Sequence, residues 1–131
     1  MPLEKTTRID DPRGTDNKGV FDSDEALSHA DGDMELLSQL MEMYLIQSKE
    51  DLIEIEAAIS RKDPKKLEFV AHSLKGASAT LAAELVREQA FRMEKIGSSG
   101  NFTEASTLLP QLKESINLTN DLVSKAIVKF R

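Results

Sequence analysis

The 131-residue chain has a formal net charge of −6, which argues against a nucleic-acid backbone or an anionic membrane as its main partner. It contains no cysteine, which excludes disulfides and thiolate sites, and it shows neither a signal peptide nor an apolar run of the roughly 20 residues that span a bilayer. Aromatic residues make up only 5% of a chain rich in Leu, Ala, Glu and Lys, so the composition predicts one helical domain in the cytoplasm.

The N-terminal region differs from the rest of the chain. Residues 1–20 are polar, contain two prolines and two glycines, and show no apolar periodicity. This composition is typical of a flexible tail, so we place the folded domain at residues 21–131. A short helix with the sequence DEALSHA follows the tail, and Asp22 or Ser23 is positioned to cap its first turn.

Two longer helices are predicted next. Asp33 is suited to cap a helix that runs from Met34 to about Arg61. Its apolar residues recur at spacings of three and four, which places them on one stripe that comprises Leu37, Leu40, Met41, Tyr44, Leu52, Ile55 and Ile59. The segment DPKK then ends this helix and begins a third, with Asp63 as the cap and Pro64 in the first turn.

The second half of the chain continues the helical pattern. The third helix extends to about Ala83, and a fourth follows at once until GSSG ends it near Ile96. A last long helix reaches about Phe130, with Thr103 as its cap and Pro110 as a kink. Long amphipathic helices joined by short turns pack side by side, so we expect an all-α fold, an antiparallel up-down four-helix bundle with a short additional N-terminal helix.

The third helix presents an unusual face opposite its core face. At 100° per residue its core face comprises Leu67, Val70, Ala71, Leu74, Ser78 and Leu81. His72 lies roughly 150° from that face, so it should point into solvent. Gly76, Ala79 and Ala83 share its side of the helix, and Lys75 lies on its flank. A histidine is therefore predicted to project from a surface that is nearly free of side chains.

This arrangement suits phosphoryl transfer. A neutral imidazole is nucleophilic at physiological pH, because the group ordinarily titrates near pH 6.5. Lys75 would favour an anion held on the ring, and the missing side chain at Gly76 leaves room for a bulky group or a closely approaching partner. These features suit a histidine that accepts a phosphoryl group from another protein. The residues alone leave open the alternative that His72 is simply solvated.

The segment AHSLKGASATLAA, residues 71–83, resembles the signature of the histidine-containing phosphotransfer (HPt) domain, A-H-x-L-K-G-x-x-x-x-L-G-A. The matching positions are His72, Leu74, Lys75, Gly76, Leu81 and Ala83. One position departs from the pattern, because the usual glycine before the final alanine is Ala82, at the turn between the third and fourth helices. The resemblance extends over about residues 22–130.

The resemblance implies a function as well as an up-down four-helix bundle. His72 would accept a phosphoryl group from the aspartate of one receiver domain and pass it to another, as a phosphorelay intermediate. Lys75 and Gly76 would have the phosphate-side and close-approach roles, and Glu94 falls near a position often occupied by a polar residue beside the histidine. The expected partners are response-regulator receiver domains and a hybrid sensor kinase, and we expect a monomer.

Cofactors are expected on the partner rather than on this chain. The resemblance implies that the receiver domain supplies Mg²⁺, and two histidines without cysteine make a zinc site of the usual kind implausible here. The chain also lacks a nucleotide-binding glycine motif, so we expect no kinase activity of its own with ATP. The competing function is that of a non-catalytic helical adaptor or scaffold in which His72 is incidental.

A docking surface for the partner is predicted around His72. On the third helix it includes Ser73, Ala79 and Ala83, and on the second it includes Met43 and Ile46. The apolar residues of the second helix that fall off its core stripe, namely Met43, Ile46 and Ile53, have an alternative explanation, which is burial under the short N-terminal helix. The other histidine, His29, ends that short helix, where a structural role is expected.

Overall fold

The computed structural model describes residues 17–130, and Phe130 by its backbone alone. These residues form no strand and five helices, which are α1 (Ser23–His29), α2 (Met34–Arg61), α3 (Pro64–Thr80), α4 (Glu84–Ser99) and α5 (Phe102–Phe130). The predicted all-α fold is therefore confirmed, including the short leading helix. Over the same residues, none of the helices combines the length and the apolar character needed to cross a membrane.

The four long helices form the bundle. Helix α3 packs against α2 and α4, and α5 packs against the same two helices, so α3 and α5 occupy diagonal positions. Short turns join successive helices, which makes neighbours antiparallel. The centre is filled by two groups of buried apolar side chains. The larger group includes Ile55, Leu67, Leu74, Met93, Leu112 and Ile116, and the group beneath α1 includes Leu37, Met41, Tyr44, Leu81 and Val123.

Aspartate side chains begin three of the helices, as the sequence predicts. Asp22, Asp33 and Asp63 each accept a hydrogen bond from the backbone N–H three residues later, at 3.0–3.1 Å. Each bond satisfies one of the N–H groups that a helix start leaves without an intrahelical partner. The prediction for the last helix is wrong, because Asn101 rather than Thr103 accepts the capping bond, from the N–H of Glu104 at 3.1 Å.

The turn between α3 and α4 begins earlier than predicted, because α3 ends at Thr80. Ala82 there adopts φ 55°, in the left-handed region, where an alanine costs about 1–2 kcal/mol and a glycine is at ease. That conformation explains why a glycine usually occupies this position of the signature. The backbone N–H of Asp22 donates to the carbonyl of Ala82 at 3.1 Å, which ties the turn to the segment before α1.

One other helix boundary differs from the prediction, while the boundary of the N-terminal tail stays a prediction. Residues 1–16 of the predicted tail lie outside the described residues, and Val20, its last residue, is only 1% exposed. At the other boundary, α4 continues past Ile96 to Ser99, and Gly100 ends it with φ 75°. Gly97, which the prediction assigned to the helix stop, is therefore an interior residue of α4.

The interior glycines of α3 and α4 have opposite surroundings. A Cβ atom built on Gly97 would lie 2.8 Å from the backbone nitrogen of Glu68, so α4 crosses α3 with no room for a side chain at that point. A Cβ atom built on Gly76 would meet nothing within 4 Å apart from its chain neighbours and the backbone of its own helix. Gly97 is therefore required by packing, whereas packing does not require Gly76.

We expect the same substitution to have opposite effects at the two glycines. Gly97→Ala should lower the free energy of unfolding by about 1–3 kcal/mol, because the helices must separate to accept a methyl group. Gly76→Ala should raise it by up to about 1 kcal/mol, because alanine favours the helix and meets no neighbour. Urea denaturation of both variants provides the measurement. Equal stability of the two variants would show that the crossing at Gly97 is not tight.

Candidate functional site

His72 lies on the solvent-facing side of α3, as predicted. All six residues predicted for the core face of this helix are buried, namely Leu67, Val70, Ala71, Leu74, Ser78 and Leu81. The hydroxyl group of Tyr44 on α2 lies 2.8 Å from that of Ser78, which fixes the rotation of α3 from its buried side. The side chain of His72 is 65% exposed as a result.

A carboxylate on the neighbouring helix joins the two predicted site residues. One oxygen of Glu94, Oε2, lies 2.8 Å from Nδ1 of His72, and the other, Oε1, lies 2.8 Å from Nζ of Lys75. The Lys75 contact is an ion pair by distance and charge, without the angles of a hydrogen bond. Glu94, which the resemblance placed near the histidine, therefore contacts both of the residues singled out on α3.

The register of α3 and α4 explains why these residues meet. Glu68 contacts Gly97 at the helix crossing, and one turn farther along the two antiparallel helices His72 contacts Glu94. The next turn brings Lys75 to Phe91, with Nζ 5.0 Å from the centre of the ring. Each step of three or four residues along α3 thus matches a step of three back along α4.

The contact with Glu94 determines which nitrogen of His72 is available. An ionised carboxylate can only accept hydrogen bonds, so Nδ1 of His72 carries the proton and donates it to Oε2. In a neutral imidazole the other nitrogen, Nε2, then holds a lone pair. Among residues 17–130, Nε2 has no hydrogen-bond partner. Because the His72 side chain is 65% exposed, this lone pair belongs to a ring that a group from solvent can approach.

Glu94 is suited to remain ionised. The Lys75 ammonium first, and the His72 imidazole to a smaller extent, lower the pKa of the Glu94 carboxyl, while its partial burial opposes them. An acid with a lowered pKa loses its charge only when the pH falls below the ordinary carboxylate range. The carboxylate that holds the Nδ1 proton is consequently present throughout neutral and mildly acidic solution.

Aromatic and basic residues of α4 border the same site. Phe91 contacts two ammonium groups, with Lys75 at 5.0 Å and Lys95 at 4.6 Å from the ring centre. Cations at these distances are attracted to the face of an aromatic ring. Arg87, which is ion-paired with Glu84, lines the same shallow depression as Lys75 and Phe91.

The predicted surface that is nearly free of side chains is present on the C-terminal side of His72, but one of the residues assigned to it does not belong there. Gly76 and Ala79 form the floor of a shallow depression bordered by Lys75, Arg87 and Phe91, and Ser73 is exposed beside His72. The assignment of Ala83 to this surface is wrong, because Ala83 is fully buried. The helical geometry that placed it beside His72 ends at Thr80, and the turn directs the methyl group of Ala83 into the core.

The predicted apolar residues of α2 are accessible. Met43, Ile46 and Ile53 are all largely exposed, so the alternative of burial under α1 is wrong. Met43 also borders a mostly apolar groove between α2 and α3, which is lined in addition by Leu40, Tyr44, Gln47, Ala77, Thr80 and Leu81. These residues could therefore contact a partner that covers His72, which keeps the docking role of Met43 and Ile46 a prediction.

His29 has contacts of a different kind. Its Nδ1 lies 3.0 Å from the carbonyl oxygen of Thr80, and its Nε2 lies 3.5 Å from a carboxylate oxygen of Glu25. The contact with Thr80 connects α1 to the end of α3, a structural role that agrees with the expectation from the sequence.

The sequence interpretation missed a second aromatic residue beside His72. Phe69 lies one turn before His72 on α3 and is 71% exposed. It lines a shallow depression with Lys65, Glu68, His72 and Glu94. The signal was present in the sequence, because 100° per residue places Phe69 about 60° from His72 around the helix axis and far from the core face.

Comparison with known proteins agrees with this geometry. Phosphorelay intermediate protein rdeA of Dictyostelium discoideum is 26% identical over 108 residues, which are 82% of this chain and 42% of rdeA. The chain thus spans less than half of that protein. The crystal structure of histidine-containing phosphotransfer protein B from Pseudomonas aeruginosa superimposes with a TM-score of 0.79 at 22% identity, covering 86% of this chain and 97% of that one.

A second solved structure gives the same fold. The HPT domain of a sensor hybrid histidine kinase from Shewanella has a TM-score of 0.76 at 16% identity, over 86% of this chain and 97% of that one. The sequence model of the Hpt domain matches residues 39–121, a range that contains His72, Lys75, Gly76 and Glu94 and exceeds half of the chain. The chain therefore belongs to the Hpt domain family.

Proposed function

We propose that the protein is a phosphorelay intermediate that carries a phosphoryl group on Nε2 of His72. The observation that carries this proposal is the 2.8 Å contact between Nδ1 of His72 and Glu94, which leaves Nε2 unprotonated and directed to solvent. The family and the relatives described above support the same function.

The transfer needs no proton movement on this chain. Nε2 attacks the phosphorus of an aspartyl phosphate on a receiver domain, and the N–P bond forms as the bond from phosphorus to the aspartate oxygen breaks. The electron pair of that bond leaves with the aspartate carboxylate. The imidazole becomes a cation that still carries its proton on Nδ1, and the Glu94 carboxylate stabilises this charge. Transfer to a second receiver reverses each step.

Positioning and charge provide most of the catalysis in such a transfer. The receiver domain would bring Mg²⁺ and its own acidic residues, while this chain contributes the nucleophile. Lys75 is held by the other oxygen of Glu94, so its ammonium lies beside the ring, where it would attract the phosphoryl oxygens. His72, Lys75 and Glu94 belong to one chain, so a monomer is sufficient for this chemistry.

The partners follow from the same chemistry. Receiver domains would act both as phosphoryl donor and as acceptor, and a hybrid sensor kinase is the source we propose for the first of them. The adaptor alternative gives no reason for a solvent-facing histidine with its Nδ1 proton held by a carboxylate. An acid-labile phosphate on His72, formed on mixing with a phosphorylated receiver, separates the two functions.

Replacing the nucleophile should abolish labelling. We expect His72→Gln to accept no phosphoryl group from a phosphorylated receiver, while its free energy of unfolding stays within about 0.5 kcal/mol of the wild-type value, because His72 is a surface residue. The matched control, His29→Gln, should be labelled normally. Labelled His72→Gln would contradict the assignment.

Incubation of the wild-type protein with labelled ATP and Mg²⁺ alone should give no label.

Neutralising Glu94 should slow the reaction without preventing it. Glu94→Gln keeps the size of the side chain, but its amide can bond either tautomer of His72 and carries no charge to stabilise the phosphorylated ring. Because a hydrogen bond to a charged group contributes about 1.5–3 kcal/mol, we expect transfer to slow by about tenfold or more. Glu88→Gln, the same change at an exposed position of α4, is the control and should transfer at the wild-type rate. Equal rates for both variants would exclude a role for Glu94.

The open space at Gly76 should be needed for the partner and not for the fold. Gly76→Gln should remain folded, because the added Cβ would meet no atom of another helix, yet its side chain would rise one turn from His72 and obstruct a receiver. We expect severely slowed transfer from a phosphorylated receiver, measured by loss of receiver label. Reaction with phosphoramidate, a small donor that needs little room, should be much less affected. A normal rate with the receiver would refute the clearance role.

A further inference from the structure

Phe69 is exposed to a degree that the fold does not require. Its side chain projects from the solvent side of α3, 71% exposed, among the charged residues Lys65 and Glu68. An aromatic ring left in water contributes no burial to folding, whereas covering it removes a large apolar area from solvent. A polar or shorter side chain would satisfy the helix equally well at this position.

The position of Phe69 places it inside any interface that serves His72. It lies three residues before His72, about 4.5 Å along the helix axis, and lines the same depression as His72 and Glu94. A typical stable interface covers about 800 Å² on each partner, a disc of about 16 Å radius. A protein that brings a phosphoryl donor to Nε2 of His72 therefore covers Phe69 as well.

The surroundings of Phe69 also have the composition of an interface anchor. Anchoring residues are often aromatic and are surrounded by polar contacts that exclude water. Lys65 and Glu68 provide such a polar surround on α3, and Glu94 completes it from α4. On the other side of His72 the surface is low at Gly76 and Ala79, so the two sides offer a projecting ring and a flat floor.

We propose that Phe69 is a specificity-determining anchor that inserts into an apolar recess beside the phosphorylated aspartate of the receiver domain. This inference rests on the proposed function and adds the property that the partner must have. A receiver with an apolar recess there binds and transfers efficiently, and one with charged or bulky residues at that place is rejected. Phe69 acts through binding and takes no part in the chemistry at Nε2.

The test separates docking from chemistry. Transfer from a phosphorylated receiver domain that labels the wild-type chain is measured over a range of receiver concentrations for the wild type, Phe69→Ala and Phe69→Leu. We expect Phe69→Ala to lower kcat/KM by about tenfold or more, mainly through KM, with Phe69→Leu intermediate. Reaction of both variants with phosphoramidate should proceed at the wild-type rate, and their melting temperatures should not fall.

Val128→Ala provides the matched control. Val128 is 73% exposed but lies on α5, the helix diagonal to α3, so its truncation should leave kcat/KM unchanged. Unchanged kcat/KM for Phe69→Ala would overturn the inference, and so would an equal loss in the phosphoramidate reaction, because Phe69 would then act on His72 itself. A wild-type protein that no receiver labels would instead refute the proposed function.

Discussion

The close crossing of α3 and α4 at Gly97 is the constraint on which the site depends. Because a side chain at Gly97 would meet the backbone of Glu68, the two helices approach more closely there than side chains normally allow. The approach fixes their register, so Glu94 reaches His72 one turn away and Phe91 reaches Lys75 after the next turn. The buried Gly97 thus determines, through the position of Glu94, which nitrogen of the exposed His72 lacks a hydrogen-bond partner.

Much of the fold could be predicted because its signals are local. The aspartate caps lie three residues from the N–H groups that they bind, and the core face of α3 follows from the period of the helix. The exposure of His72 followed from the same period. Local signals failed where the helix ended early, so that Ala83 was assigned to a surface although it belongs to the core.

The rest of the site depends on contacts between helices, which one sequence does not reveal. His72 and Glu94 are 22 residues apart, and no period of a single helix connects them. Gly97 resembled part of a helix stop because GSSG contains two glycines, and only the crossing with α3 distinguishes an interior glycine from the one that ends the helix. The contact of Phe91 with the ammonium group of Lys75 likewise joins two helices, so neither helix period reveals it.

Our central proposal is that Glu94 holds the proton of His72 on Nδ1 and leaves Nε2 as the nucleophile. The ¹⁵N chemical shifts and two-bond ¹⁵N–¹H couplings of the His72 ring, recorded for the unphosphorylated protein at a pH where the ring is neutral, test it most directly. We expect a protonated Nδ1 and an unprotonated Nε2. A ring with its proton on Nε2 would contradict it.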